Sequence, residues 1–109
     1  MSESHPAIDL GTMQAAAAQA CALLKVLANQ DRLLLMCQLS QGELCVSDLE
    51  ARLGIRQPTL SQQLGVLREN GLVTTRREGK SIFYSIASQE ALAVMAVLYE
   101  QFCANTNTK

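Results

Sequence analysis

Residues 57–69 read QPTLSQQLGVLRE, and the spacing within this stretch decides the fold. Leu60, Leu64 and Leu67 recur at intervals of four and three, which puts them on one stripe of a helix. Pro58 stands near the start, where its missing N–H has no intrahelical partner to lose, and Asn70-Gly71 supplies the stop. Thr59, Ser61, Gln62 and Gln63 lie off the leucine stripe. A helix with one side destined for a core therefore presents uncharged hydrogen-bonding side chains elsewhere, with Arg56 and Gln57 at its entrance and Arg68 near its end.

The flanking segments give this helix a context. Upstream, a short helix is expected over Ser47 to Leu53, with Ser47 and Glu50 placed as a capping box and Gly54 as its break. Downstream, Leu72–Arg77 and Ser81–Ile86 are β-branched and aromatic runs around Glu78-Gly79-Lys80, the pattern of a hairpin with a charged tip. Two short helices joined by a Gly-containing turn and followed by a basic hairpin have the order of a winged helix-turn-helix. In that arrangement Gln57, Thr59, Ser61, Gln62 and Gln63 can pair with base edges. Arg76, Arg77 and Lys80 can hold phosphates or reach the minor groove, and the DNA-binding residues Arg56 and Arg68 flank the reading helix.

The outer elements are helical. Residues 1–11 read as a tail, residues 12–104 as one domain and residues 105–109 as a polar end. Met13, Ala16, Ala17, Ala20, Leu24 and Leu27 form the stripe of an Ala-rich helix ending near Ala28, whose small side chains allow close approach of a partner helix or of an internal core. Asn29 is placed to cap a second helix that carries Leu33, Leu34, Met36, Cys37 and Leu39, with Gly42 as its stop. Ser88 is placed to cap a last helix in which Leu92, Met95, Leu98, Tyr99 and Phe102 share a face.

Composition limits the function classes. A chain of 109 residues has room for one domain, and 49% hydrophobic with 17% charged residues is globular rather than disordered. The net charge of -1 argues against a nucleic-acid binder only on average. Between Arg52 and Lys80 six cations face two anions, whereas the other eighty residues hold three cations and eight anions. Reversed sign in one segment is what a local phosphate-binding surface requires, and a solvated charged face has the same look. The charge-free run from Leu10 to Leu24 is interrupted by polar residues and shorter than a bilayer span, so no membrane association is expected. No cation precedes Lys25, so a cytoplasmic protein is expected, and there Cys21, Cys37, Cys45 and Cys103 stay reduced by default.

LLLMCQLSQGELCVSDL (residues 33–49), QPTLSQQLGVLRE (57–69) and Ile82-Phe83-Tyr84 together resemble the ArsR/SmtB family of bacterial winged-helix repressors, over nearly the whole chain. The resemblance implies a homodimer built through the first and last helices, which reads an inverted repeat in double-stranded operator DNA. Arsenic sensors of the family carry ELCVCDLC; the matching positions here are Cys45, Ser47 and Glu50, so two soft ligands are missing. Zinc sensors use His and carboxylate pairs on the last helix, and the one His here is His5. No metal site and no cofactor are expected on that basis. Cys37 in LLLMCQL and Cys103 in LYEQFCAN instead resemble the cysteine pair of the persulfide-responsive BigR, SqrR and HlyU group. By that resemblance they are the redox sensor, and low-molecular-weight persulfides are the inducers. Three alternatives stay open: a metal-responsive repressor using Cys45 with other thiols, a small sulfur-transfer enzyme, and an association module that binds no DNA. The absence of a Cys-x-x-Cys pair and of a central His as base stands against an enzyme.

Overall fold

The computed structural model describes residues 9–104. Helix α1 (Leu10–Leu27) starts two residues before the expected position. The carboxylate of Asp9 accepts from both the backbone N–H and the hydroxyl of Thr12, so Leu10 and Gly11 belong to the helix rather than to a tail. Helix α2 (Gln30–Leu39) is capped by Asn29, whose side chain accepts from the N–H of Arg32 at 3.1 Å.

Strand β1 (Leu44–Cys45) is two residues long, too short for any period to announce it. Helix α3 (Val46–Leu53) follows with no side-chain cap. The expected Ser47–Glu50 capping box is not made, because Ser47 already lies inside the helix and its hydroxyl sits 3.2 Å from Cys45 Sγ. Gly54, at φ 69°, ends α3 in the left-handed region that glycine adopts without strain. Helix α4 (Gln57–Glu69) carries Pro58 in its first turn and buries Leu60, Leu64 and Leu67.

Strands β2 (Val73–Glu78) and β3 (Ser81–Ile86) pair in register from Val73↔Ile86 to Glu78↔Ser81, which leaves Gly79-Lys80 as a two-residue turn. The sheet order is β1-β3-β2, all antiparallel. Helix α5 (Gln89–Leu98) is capped by Ser88, which accepts from the N–H of Ala91 at 3.0 Å. The sequence periodicity predicts an uninterrupted helix through Phe102. Instead α5 widens into a π-helical turn, Tyr99–Ala104, an arrangement that adds a residue to the turn and shifts every side chain after it.

The core gathers the end of α1 (Val26, Leu27), α2 (Leu35, Met36, Leu39), Leu49 of α3, the α4 stripe, Leu72 and Val73 at the hairpin base, and Ala91 and Met95 of α5. Two surfaces stay apolar outside it. Most of α1 is exposed, Leu10, Met13 and Leu24 included, and α5 with its π turn exposes Leu92, Val97, Tyr99 and Phe102, the last at 70%. By length and composition α1 also reaches what a membrane span requires, which the sequence reading did not expect. Its apolarity comes largely from alanines interrupted by Gln14, Gln19 and Lys25, and alanine buries far less area than leucine.

Leu64→Ala removes a fully buried side chain from the seam where α4 meets the core and should lower the unfolding free energy by about 2–5 kcal/mol. Ser88→Ala removes only a cap and should cost about 1 kcal/mol. Urea unfolding followed by circular dichroism checks both.

Candidate nucleic-acid interface and thiol pair

The burial of Leu60, Leu64 and Leu67 turns the remainder of α4 outward. Gln57, Thr59, Ser61, Gln62 and Arg68 are exposed, and so is Arg56 just before the helix. Ser61 Oγ donates to Gln57 Oε1 at 3.3 Å and Gln57 Nε2 donates to Glu50 Oε1 at 3.4 Å, so the first turn is loosely ordered by its own side chains. Gln63 departs from the expectation. It stands three residues after Leu60 and four before Leu67, on the flank of the buried stripe, and is half-buried. Its amide oxygen accepts from Arg32 Nη1 at 2.8 Å, while Arg32 Nε donates to the carbonyl of Val26 at 2.6 Å. Gln63 thus helps tie α4 to α2 and the end of α1 instead of facing outward with Gln62.

The hairpin cations divide in the same way. Arg77 and Lys80 are exposed and make no ion pair among the described residues. Arg76 was expected to meet phosphate, but it is engaged within the protein. Its Nε and Nη2 each lie 2.8 Å from the carboxylate of Glu43, Nη1 lies 3.0 Å from Glu78, and the guanidinium carbon stands 4.7 Å from the centre of the Phe83 ring. The hydrogen bonds from Arg76 hold the Glu43 carboxyl below the usual carboxylate range. Arg32 and Glu43 escaped the sequence reading. A signal for Glu43 existed only if the Leu44-Cys45 pair was recognised as a third strand beside the hairpin.

All four cysteines are thiols. Cys37 lies two residues before the end of α2, half-buried against the core, and Cys103 lies half-buried in the π turn. Burial pushes the Cys37 thiol above its usual range, and the charge of Cys103 pushes it further, which puts the two groups within electrostatic reach. Cys45 sits apart at the start of α3, its Sγ 3.2 Å from both Ser47 Oγ and Asp48 Oδ2. Cys21 is exposed on α1. Among the described residues no three His, Cys, Asp or Glu side chains converge to hold a metal ion.

A model of a family described as bacterial regulatory protein, arsR family, matches residues 29–75, from the cap of α2 into β2. A biofilm growth-associated repressor of Agrobacterium fabrum is 56% identical over 97 residues, covering 89% of this chain and 83% of that protein. The chain belongs to the arsR family of bacterial regulatory proteins. The crystal structure of the transcriptional repressor BigR from Xylella fastidiosa is similar to this ArsR-family chain with a TM-score of 0.81 and 47% identity, over 88% of this chain and 98% of that one. Reduced HlyU from Vibrio cholerae is similar with a TM-score of 0.83 and 41% identity, over 86% and 99%. The homodimeric winged helix-turn-helix DNA-binding domain Mb0332 from Mycobacterium bovis is also similar, with a TM-score of 0.71 and 31% identity over 94% of this chain and 93% of that one, and the fold of this family member is a winged helix-turn-helix.

The neutral Cys37 thiol is the favoured form at neutral pH. Alkylation of Cys37 by iodoacetamide at pH 7 should be slower than that of a model peptide thiol and should accelerate at higher pH than the model does. Cys103→Ser removes one of the two causes and should move that profile toward lower pH; peptide mass mapping over a pH series reads it.

Proposed function

We propose that this ArsR-family chain is a homodimeric transcriptional repressor of the cytoplasm, bound to an inverted repeat in operator DNA when its thiols are reduced. Persulfides release it by linking Cys37 and Cys103. The observation that carries the redox part is the placement of two half-buried thiols on different elements, Cys37 near the end of α2 and Cys103 in the π turn that follows α5, with the charge of Cys103 bearing on Cys37. The DNA part is supported by the exposed polar face of α4 beside the exposed Arg77 and Lys80. The dimer is supported by the apolar exposure of α1 and α5, which a second copy would cover.

The chemistry balances with persulfide as oxidant. One protein thiolate takes the terminal sulfur of R–S–SH and releases R–SH. The second thiolate attacks the protein-bound sulfur of the resulting Cys–S–SH and expels hydrogen sulfide. Two S–H bonds of the protein and one S–S bond of the persulfide are lost, and one S–S bond between Cys37 and Cys103 forms. Each further sulfur in a longer bridge consumes one more persulfide and releases one more R–SH. Cys37 near the C-terminus of α2 and Cys103 in the final turn both face a helix dipole that disfavours thiolate, and Glu100 stands three residues before Cys103. Slow reaction with hydrogen peroxide follows. Joining α2 to the end of α5 biases the dimer between two geometries, because α2 packs on α4 as well. The metal alternative lacks a supporting observation, since Cys45 is engaged with Ser47 and Asp48 while Cys103 is the thiol that bears on Cys37.

The test is intact mass and DNA affinity of the reduced protein before and after glutathione persulfide, with hydrogen peroxide and arsenite in parallel. The expected result is added sulfur or loss of two hydrogens across Cys37 and Cys103, with release of DNA by persulfide, and no release in Cys37→Ser or Cys103→Ser. Release by arsenite alone, or equal rates with peroxide and persulfide, overturns the inducer. Ala16→Arg on the exposed face of α1 should convert the dimer to monomer in sedimentation and weaken operator binding by at least tenfold.

A further inference from the structure

The hairpin carries two adjacent arginines that the structure uses differently. In the register of the sheet Arg76 opposes Phe83, and Phe83 opposes Cys45, so the three stand in one row across β2, β3 and β1. The guanidinium of Arg76 lies over the Phe83 ring at 4.7 Å and reaches past it to Glu43, the residue just before β1. Both arms of the fork, at 2.8 Å each, close on that one carboxylate, the bidentate geometry that distinguishes a specific pair from a passing surface contact. The clamp therefore crosses the central strand and joins one edge of the sheet to the other.

Its mechanical weight is set by how little else does this. Backbone pairing on the β1 side is limited to Leu44↔Tyr84 and Cys45↔Phe83; Leu72, Val73, Tyr84 and Ile86 anchor the base of the hairpin on the core, and the Arg76–Glu43 clamp lies beyond them toward the tip. Electrostatically, Arg76 is answered by Glu43 and Glu78 together, and the trio carries net negative charge, which offers nothing to a phosphate. Arg77 alternates to the other face, opposite Ile82, and remains exposed with Lys80 at the turn.

We infer that Arg76 is a positioning residue which, with Glu43, sets the angle of the hairpin against α4, while Arg77 and Lys80 meet the phosphates. The inference rests on the DNA-binding reading above. It departs from the expectation that all three hairpin cations contact DNA.

Affinity for the operator, isolated by selection from random duplexes with the wild-type protein, is measured against salt concentration for the full-length protein. Arg77→Gln and Lys80→Gln should each flatten the log–log salt slope by about one per subunit. Arg76→Gln, Arg76→Lys and Glu43→Gln should each weaken binding on the order of tenfold at an unchanged slope. The exchange Glu43→Arg with Arg76→Glu should recover most of the loss. Glu43→Gln is the decisive arm: freeing an Arg76 that binds phosphate would tighten the complex, whereas breaking a clamp loosens it. Tighter binding by Glu43→Gln, a flattened slope in Arg76→Gln, or unaltered affinity in both overturns the inference. Failure of the wild type to bind any duplex at low salt would instead overturn the DNA-binding reading beneath it.

Discussion

Everything in this molecule depends on one constraint: α4 must bury Leu60, Leu64 and Leu67. Burying each leucine contributes about 1.5–3 kcal/mol, far more than any orientation preference of the polar residues between them. Once the stripe is committed to α2 and the hairpin base, the rotation of α4 about its axis is no longer free. Ser61 and Gln62 face outward because three leucines face inward, and Gln63 is caught on the flank, where Arg32 takes its amide oxygen. The same fork of Arg32 satisfies the carbonyl of Val26 in the last turn of α1, one of the four that a helix leaves unpaired at that end. A single side chain thus fastens the outermost helix, the central helix and the polar-faced helix to one another.

α2 is the element through which the two halves of the proposed mechanism communicate. It carries Arg32 at its start and Cys37 near its end, and it packs against both α1 and α4. A bridge from Cys37 to the π turn would pull on a helix whose other end is hydrogen-bonded to α4. The π turn suits this role physically: its wider winding sets the positions of Tyr99, Phe102 and Cys103 away from where a continuous α-helix would put them, and Tyr99 and Phe102 belong to the exposed apolar face of α5.

Charge is distributed with similar economy. The segment from Arg52 to Lys80 holds most of the cations, yet their number overstates the field presented to a polyanion, because Arg76 is internally neutralised. Arg56, Arg68, Arg77 and Lys80 remain exposed around α4 and the hairpin. An acidic chain can therefore present a compact basic surface without a basic average.

The sequence by itself determined the elements and their order. Strong periodicity marks α1, α2, α4 and α5, Asn29 and Ser88 mark the caps of α2 and α5, and the runs around Glu78-Gly79-Lys80 mark the hairpin, although Glu78 itself pairs within β2, because each of these signals is local and lies within a few residues of its effect. The family resemblance rested on the same local strings. Tertiary structure alone decided which polar side chains stay outward. Gln62 and Gln63 are adjacent and chemically identical, and Arg76 and Arg77 likewise; helix phase and strand alternation turn the members of each pair apart, but the partners that engage Gln63 and Arg76 are Arg32 and Glu43, 31 and 33 residues away in the chain. Strand β1, the missing capping box and the π turn were illegible for a related reason. A two-residue strand exists only because Tyr84 and Phe83 offer it partners, and a widened turn leaves no mark in a hydrophobic period that fits an α-helix as well. Local propensity names an element; the contacts that assign work to its side chains are made across the fold.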